Sequence, residues 1–321
     1  MSSRPLVSVV IPAYNAAQYI DEALHSVLEQ AYPAIEIIVV DDGSTDNTAQ
    51  RVARYHPRVR CHRRSNSGGY PGVSRNSGIE QCSGEYLCFL DADDIMAPGR
   101  IEKQAELLSH HPQAGVVFAD YRNFSALGPF ERTHFQACPL LQAKLDGKPS
   151  LVLASAEATA LLAQENIGAT GMIMIRRRVL DAVPCFAADL QIGEDFHFYF
   201  QVARQFGVGV VNHVGTLRRL HDANITGDTL RRLRNCILSR EKLRDTEPNA
   251  ANRRLLDEYL FQCEIDLARA YADRRELSKA VIHNARALVA SFPASLARLR
   301  VGLRTLARTA TIAVHLKQPK P

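Results

Sequence analysis

Apolar runs alternate with segments of helical periodicity along the first half of the chain. Residues 6–11, 35–40 and 86–90 are mainly apolar, and a turn-forming or polar stretch follows each run. Runs of this length and composition are typical of strands buried on both faces of a sheet. Apolar residues recur at helical spacing in residues 16–30, which predicts an amphipathic helix. The alternation predicts an α/β fold with a mostly parallel sheet flanked by helices.

The pattern is less regular in the second half of the chain. Residues 128–150 show no clear period, and we expect them to form a loop or a flap. Residues 208–211 and 216–220 are predicted to form two short strands. From residue 228 the helical pattern continues to the end of the chain, which predicts a helical C-terminal extension.

The length of the chain and the distribution of its charges suggest two domains and a basic tail. A chain of 321 residues is long for one domain, and we expect a catalytic domain over residues 1–226 and a helical region over residues 227–321. No acidic residue follows Glu276, whereas eight Lys and Arg residues do. Leucines and arginines form adjacent stripes within residues 296–308. This tail is predicted either to pack on the first domain or to form a basic amphipathic helix on anionic lipid.

The sequence also suggests a compartment. No uncharged apolar run approaches the ~20 residues that span a bilayer. The first residues lead directly into a predicted strand, so we expect no signal peptide. The seven cysteines are odd in number and lack CxxC spacing, which favours reduced thiols. We expect a cytoplasmic protein, peripheral at the inner face of the plasma membrane if the tail binds lipid. No nucleic-acid motif is present, so nucleic acid is not an expected partner.

Acidic residues follow the apolar run at residues 86–90. Asp91-Ala92-Asp93-Asp94 places three carboxylates at the end of a predicted buried strand, and strand alternation puts Asp91 and Asp93 on the same side. Unpaired carboxylates are rarely buried, so the cluster is expected at the rim of the sheet, where α/β folds bind ligands. A hard cation or a diphosphate is the favoured partner, and a simple cap on the helix starting near Pro98 is the alternative.

Six short motifs follow one another along the chain: Val9–Asn15, Val40–Asp46, Arg75–Ile79, Leu90–Asp94, Gly193–Asp195 and His221–Asn224. In this order the motifs resemble family-2 glycosyltransferases of the GT-A fold, and the resemblance covers roughly residues 5 to 225. It implies an inverting transferase that uses a nucleotide sugar, with a Rossmann-like sheet.

The resemblance implies a nucleotide site on the first two strand ends. Asp42 would read the N3–H of uracil, although it could instead cap the following helix. Arg75 would lie near the base or the phosphates, and a salt bridge to a strand-end acid is its alternative. The other implied nucleotide-binding residues are Pro12, Ala13, Tyr14, Asn15, Asp91 and Ala92, with Tyr14 able to stack on the base.

The resemblance also implies a Mg²⁺ or Mn²⁺ ion that bridges the two phosphates and stabilises the leaving group. Asp93 would be its direct ligand. Asp91 would contact the ribose or the water shell of the metal, and Asp94 would cap a helix or support the loop. His221 would face the metal or the diphosphate, although a lone histidine at a strand end is commonly structural.

Transfer requires a base for the acceptor hydroxyl. The resemblance gives this role to Asp195, with Glu194 as the second candidate; the ordinary reading of Asp195 is an acid in the first turn of a helix. A base opposite the leaving group implies inversion at the anomeric carbon. Gly168, Thr170 and Gly171 are implied to line the acceptor pocket.

Two rival functions are weighed against this one. A Rossmann oxidoreductase requires G-x-G-x-x-G after the first strand, where this chain has Pro-Ala-Tyr-Asn-Ala-Ala, so that class is excluded. A non-catalytic module that binds nucleotide sugars or glycans remains the alternative. The donor is expected to be a UDP sugar, with dTDP as a second possibility. The acceptor is expected to be a saccharide or a lipid-linked saccharide.

Overall fold

The computed structural model describes residues 4–222, 224, 227–290, 301–305, 307 and 309. The chain divides into two compact units, and the first ends at Asp222. The predicted division into domains at residue 226 stays a prediction.

The first unit contains a ten-stranded mixed sheet. Its strands are β1 (Val7–Ala13), β2 (Ile35–Asp41), β3 (Val59–Arg63), β4 (Tyr86–Phe89), β5 (Ile95–Met96), β6 (Ala114–Ser125), β7 (Gly128–Thr133), β8 (Ser150–Leu153), β9 (Ile173–Arg176) and β10 (Gly207–Arg219).

Helices connect these strands. Three short 3₁₀ helices, Phe135–Ala137, Thr170–Met172 and Arg177–Asp181, accompany the α-helices of this unit. The α-helices are α1 (Ile20–Leu28), α2 (Thr48–Ala53), α3 (Pro71–Glu80), α4 (Arg100–His110), α5 (Pro139–Leu145), α6 (Ser155–Gln164) and α7 (Glu194–Gln205).

The strand order puts β2, β1 and β4 side by side, so the candidate motifs that follow these strands lie at the same edge of the sheet. The main order is β3-β2-β1-β4-β9-β6-β10-β5, with β7 added to β6 and β8 added to β10. Strands β3, β2, β1 and β4 are parallel neighbours, and β6 is parallel to β10. Strand β9 runs antiparallel between β4 and β6. The predicted α/β class with its largely parallel central sheet is confirmed.

Burial explains why the apolar runs form the centre of the sheet. Val9, Val10 and Ile11 of β1 and all four residues of β4 are buried. Helix α1 covers one face with Ile20, Ala23, Leu24 and Val27. Each large aliphatic side chain buried in this way contributes about 1.5–3 kcal/mol. The first and fourth strands are therefore fixed firmly, and the loops that follow them start from a rigid frame.

A close contact sets the position of α3. Gly78 lies against the sheet so tightly that a Cβ there would be 2.4 Å from Val10 Cγ1 and 3.1 Å from Val40 Cγ2. The glycine therefore lets the helix backbone approach β1 and β2. Arg75 lies one turn earlier on the same helix, so this contact also fixes where the Arg75 side chain begins.

The second unit is helical where it is described. Its helices are α8 (Thr229–Thr246), α9 (Ala250–Asp273) and α10 (Leu277–Ala290). The Asp228 side chain caps α8 and the Asn249 side chain caps α9. The predicted helical extension is confirmed over these residues. Among the residues that the structure describes, no helix is both long enough and apolar enough to cross a bilayer.

Two local predictions are wrong. Residues 128–150 are not a continuous loop, because they contain β7, a 3₁₀ helix and α5, and they end where β8 begins. Residues 208–211 and 216–220 are not two strands: β10 runs continuously from Gly207 to Arg219, with register shifts between Val211 and Thr216. Irregular pairing with β6 lets β10 continue through the polar residues in its middle.

Candidate active site

Three parallel strands end at the same edge of the sheet. Ala13 at the end of β1 pairs with Asp41 at the end of β2, and Val10 pairs with Phe89 at the end of β4. Tyr14, Asp42 and Asp91 therefore follow neighbouring strands on this edge. The three motifs therefore converge on one edge of the sheet, and this edge is the candidate active site.

The carboxylate of Asp42 accepts hydrogen bonds from Ser67 and Arg64, which hold it in place. The Ser67 N–H lies 3.0 Å from Oδ1 and 3.1 Å from Oδ2, and the Ser67 hydroxyl donates to Oδ2 at 2.5 Å. Arg64 Nη1 donates to Oδ1. Asp42 is 6% exposed, and its own N–H donates to the Ala13 carbonyl at 2.8 Å. Its side chain makes no helix cap among these bonds, which leaves its orientation set by the loop after β3.

The residues at the end of β1 differ in role: Tyr14 is exposed, whereas Asn15 connects two loops. Tyr14 is 53% exposed, so its ring is available to a ligand, whereas Ala13 is buried. Asn15 has φ 48° in the left-handed region, which asparagine tolerates better than most residues. Its side-chain oxygen accepts from the Thr45 N–H at 2.8 Å, and its N–H donates to Ser44 Oγ at 3.0 Å. Asn15 therefore links the loops after β1 and β2.

The three carboxylates after β4 have different partners. Asp91 accepts from Arg75 Nη2 at 2.8 Å, Asp93 Oδ2 lies 3.0 Å from His221 Nε2, and Asp94 accepts from the Arg219 N–H at 2.8 Å. Burial, followed by the charge of Asp91, raises the pKa of Asp93 despite the opposing effect of His221. Burial and the charges of Asp91 and Asp93 raise the pKa of Asp94 well above its usual range. The cluster is thus short of positive charge.

This cluster fits a divalent cation only as part of a larger site. Within the described residues, no group of three or more His, Cys, Asp or Glu side chains is arranged to hold a metal ion. Mg²⁺ is commonly bound by one or two carboxylates together with substrate phosphates, and Asp91 and Asp93 supply hard oxygen ligands of that kind. The donor set therefore fits Mg²⁺ or Mn²⁺ bound jointly with a diphosphate.

Aromatic rings position the residues at the end of β10. The His221 ring stacks on Tyr19 with centroids 5.1 Å apart. The Arg219 guanidinium lies 5.0 Å from the Tyr19 ring and 4.5 Å from the Phe124 ring. Arg219 Nε also donates to the Asp93 carbonyl at 2.9 Å. These contacts fix both His221 and the loop that carries Asp93.

Glu194 and Asp195 begin helix α7. Gly193 precedes them with φ 82°, a conformation that favours glycine. Glu194 is buried, and its Oε1 accepts from Arg75 Nη1 at 2.5 Å. Burial and the charge of Asp195 raise the pKa of Glu194 to about 7, against the lowering effect of Arg75. Asp195 is half-buried, and its Oδ1 accepts from the Phe196 N–H at 2.7 Å.

The predicted acceptor residues lie between β9 and the carboxylates. Gly171 is near Asp94: a Cβ at residue 171 would be 3.8 Å from Asp94 Oδ2. Gly171 lines a cavity of about 20 Å³ together with Asp91, Asp94, Tyr121 and Arg218.

The other two acceptor candidates are more enclosed. A Cβ at Gly168 would be only 2.4 Å from Phe118, so this glycine makes room for a core aromatic ring. Thr170 is 2% exposed, and its hydroxyl has no hydrogen-bond partner within the described part of the chain. Of the three residues, Gly171 therefore has the most direct access to the carboxylates.

Several residues that contact the site were not singled out from the sequence. Arg64 and Ser67 hold Asp42, Arg219 holds the loop of Asp93 and Asp94, and Arg100 lies beneath that loop. Arg100 is fully buried, and its Nη2 donates to the carbonyls of Phe89 and Ile173 at 3.1 and 3.2 Å. Of these residues, only Arg219 could have been found from the sequence, because it lies two residues before the motif that begins at His221.

Comparisons with known proteins show the family of this chain. The model of the family "Glycosyl transferase family 2" matches residues 8–183. An uncharacterized glycosyltransferase of Rickettsia typhi is 31% identical over 229 residues, which cover 71% of this chain and 68% of that protein.

Two solved structures share the fold. S. aureus TarS in complex with UDP-GlcNAc has a TM-score of 0.69 and 17% identity, covering 98% of this chain and 92% of the TarS chain. The mannosyltransferase PcManGT from Pyrobaculum calidifontis, in complex with GDP-Man and Mn²⁺, has a TM-score of 0.62 and 20% identity, covering 98% and 87% of the two chains. The chain belongs to glycosyl transferase family 2 and is a glycosyltransferase.

Proposed function

We propose that this enzyme is an inverting glycosyltransferase that moves a sugar from a UDP sugar to a hydroxyl of a saccharide or a lipid-linked saccharide. One observation carries the proposal: Arg75 bonds both Asp91, which follows β4, and Glu194, which precedes Asp195 on α7. A carboxylate of the proposed donor site, Asp91, and a side chain of the Glu194–Asp195 pair proposed for the base are therefore bound to one guanidinium. Donor and acceptor chemistry can take place in one site.

The environment of Asp42 supports uracil as the base. The uracil edge presents a carbonyl, an N3–H and a second carbonyl. Asp42, oriented by Ser67, offers carboxylate oxygens as acceptors, and Arg64 beside it has guanidinium N–H groups besides the one that it donates to Asp42. This arrangement complements uracil or thymine better than cytosine, whose N3 is an acceptor. Pro12, Ala13 and Asn15 form the wall of the proposed nucleoside pocket, and the exposed Tyr14 stacks on the base.

The loop after β4 is the proposed diphosphate site. Asp93 would be the direct metal ligand, Asp91 would contact the ribose or the metal's water shell, and the Ala92 backbone would approach the nucleotide. His221, held beside Asp93, faces the diphosphate. A bound Mg²⁺ or Mn²⁺ would act there as a Lewis acid that stabilises the charge of the departing diphosphate.

The proposed catalytic base lies at the start of α7. Asp195 accepts the proton of the acceptor hydroxyl as that oxygen attacks the anomeric carbon. Glu194 is the less suitable candidate, because it is buried and bonded to Arg75. Attack from the face opposite the diphosphate inverts the anomeric configuration. Gly171, with Gly168 and Thr170 beside it, lines the acceptor side.

The C-terminal region is proposed to bring the enzyme to an anionic lipid surface on the cytoplasmic side of the membrane. Helix α10 contains no acidic residue, and Lys279 and Arg286 are exposed on it. Ile282 is 52% exposed and Val289 is 75% exposed. Exposed aliphatic residues beside cations suit an anionic lipid interface. The predicted leucine and arginine stripes at residues 296–308 fall mostly outside the described residues.

A screen of sugar nucleotides tests the proposed activity. Purified enzyme is incubated with UDP, dTDP and GDP sugars, with Mn²⁺, with Mg²⁺ or with excess EDTA, and the released nucleoside diphosphate is measured. The proposal predicts release from a UDP sugar that requires metal. Binding of a donor without release, with every acceptor tried, would favour the non-catalytic module. Full activity in excess EDTA would refute the role of the metal.

A further inference from the structure

Arg75 is buried among acidic side chains that come from distant parts of the sequence. Its side chain is 5% exposed, its Nη1 lies 2.5 Å from Glu194 Oε1, and its Nη2 lies 2.8 Å from Asp91 Oδ1. The partners are 119 and 16 residues away in the sequence. The Phe186 ring lies 5.7 Å from the guanidinium carbon. Arg75 therefore fixes the loop after β4 to the first turn of α7.

The buried guanidinium has a partner at each terminal nitrogen. Nη1 donates to Glu194 and Nη2 donates to Asp91, so the positive charge of Arg75 is not left unpaired. Removing one member of a buried charged group leaves an uncompensated charge, which is strongly destabilising. The guanidinium is therefore held between the two acidic side chains.

The planar fork of arginine matters for this geometry. Two terminal nitrogens at a fixed separation donate in different directions, one to each carboxylate, whereas lysine offers a single nitrogen on a flexible chain. Lysine at residue 75 would keep the charge but could not hold both partners in the same positions. The first turn of α7 would then lose its fixed distance from the loop after β4.

We infer that Arg75 is a positioning residue that sets the place of Asp195 relative to the donor through Glu194. This inference rests on the proposed function, and it goes beyond it by assigning Arg75 to the alignment of the base instead of to nucleotide binding. A base displaced by about 1 Å can cost on the order of 10²-fold in rate. The effect of Arg75 should therefore fall on kcat and leave the donor KM nearly unchanged.

Arg75→Lys tests this inference with two independent readouts. Hydrogen exchange at the first turn of α7 should become at least about tenfold faster, while exchange in α1 stays unchanged. The kcat for release of nucleoside diphosphate should fall about 10–100-fold, with donor KM within about threefold of wild type. Arg176→Lys is the matched control, because Arg176 is also buried but donates to the backbone carbonyls of Ala114 and Leu108. It should leave exchange at α7 and kcat close to wild type.

A second pair of variants covers the case in which Arg75→Lys does not fold. Glu194→Gln keeps a side-chain oxygen that accepts from Arg75, so hydrogen exchange at the first turn of α7 should stay close to that of wild type. Glu194→Ala removes that acceptor and should reproduce the faster exchange at α7 that is expected of Arg75→Lys. Equal exchange at α7 in the two Glu194 variants would overturn the inference.

The two readouts separate this inference from the proposed function. Unchanged exchange at α7 in Arg75→Lys would refute the positioning role whatever the activity. A higher donor KM with unchanged kcat would also refute it and would make Arg75 a donor contact. A wild type that releases no nucleoside diphosphate from any donor would refute the function, while hydrogen exchange would still decide whether Arg75 positions α7.

Discussion

Glu194 should make the stability of the protein depend on pH in a window where most carboxylates are already ionised. Burial and the neighbouring Asp195 raise its pKa from the usual 4.5 to about 7. Between these values the unfolded chain has lost the proton and the folded protein has kept it. The free energy of unfolding therefore falls as pH rises through this window. One pH unit corresponds to 1.36 kcal/mol, so the fall due to Glu194 is about 3 kcal/mol.

Glu194→Gln isolates this contribution. Glutamine does not titrate, and its side-chain oxygen can still accept from Arg75. The difference in unfolding free energy between wild type and the variant should therefore shift by about 3 kcal/mol in favour of the variant from pH 4.5 to pH 7. Urea unfolding at half-unit pH intervals, followed by circular dichroism, measures that difference.

The control for this experiment is a carboxylate on the protein surface. Glu106→Gln removes a carboxylate from an exposed position on α4, so it reports the effect of deleting a surface charge in the same unit. We expect its unfolding free energy to run parallel to that of wild type. Parallel curves for Glu194→Gln as well would show that Glu194 is already ionised in the folded protein, and the electrostatic account of the site would be wrong.

Three further predictions concern the metal, the fold and the membrane. Asp93→Asn should abolish metal-dependent release of nucleoside diphosphate with little change in the melting temperature; retained activity in this variant would refute Asp93 as the metal ligand. Gly78→Ala should lower the unfolding free energy by about 1–3 kcal/mol in urea titrations, because its Cβ would meet Val10, and an unchanged value would contradict the tight packing. Ile282→Glu should reduce co-sedimentation with anionic vesicles, whereas Leu127→Glu, at an exposed apolar position in the first unit, should not; equal binding by both would refute the α10 surface.

The sequence was most informative where local pattern and burial coincide. The apolar runs at β1, β2 and β4 are buried throughout most of their length, so pattern alone located them and the acidic residues that follow. Residues 128–150 were mispredicted because β7 and α5 are short, and their stability depends on tertiary contacts such as the pairing of β7 with β6.

The site shows the same division between local and distant information. The motifs located Asp42, Asp91 and Asp195, because each lies in a short recognisable stretch. The partners of these residues were harder to predict, since Ser67 meets Asp42 and Arg75 meets Glu194 across long sequence separations. Asn15 links two loops in this structure, and that role depends on its left-handed backbone, which the sequence pattern did not predict.

The central claim is that this site transfers a sugar with Asp195 as its base. The rate of sugar transfer by the Asp195→Asn variant tests this claim most directly. The substitution preserves the shape of the side chain but removes the proton acceptor, and loss of a general base typically costs on the order of 10²–10⁴ in rate. We predict that calorimetry with UDP and Mn²⁺ gives near-wild-type affinity, while transfer from the donor identified in the screen falls by that factor. Transfer by Asp195→Asn at the wild-type rate would contradict the account and make Glu194 the next candidate for the base.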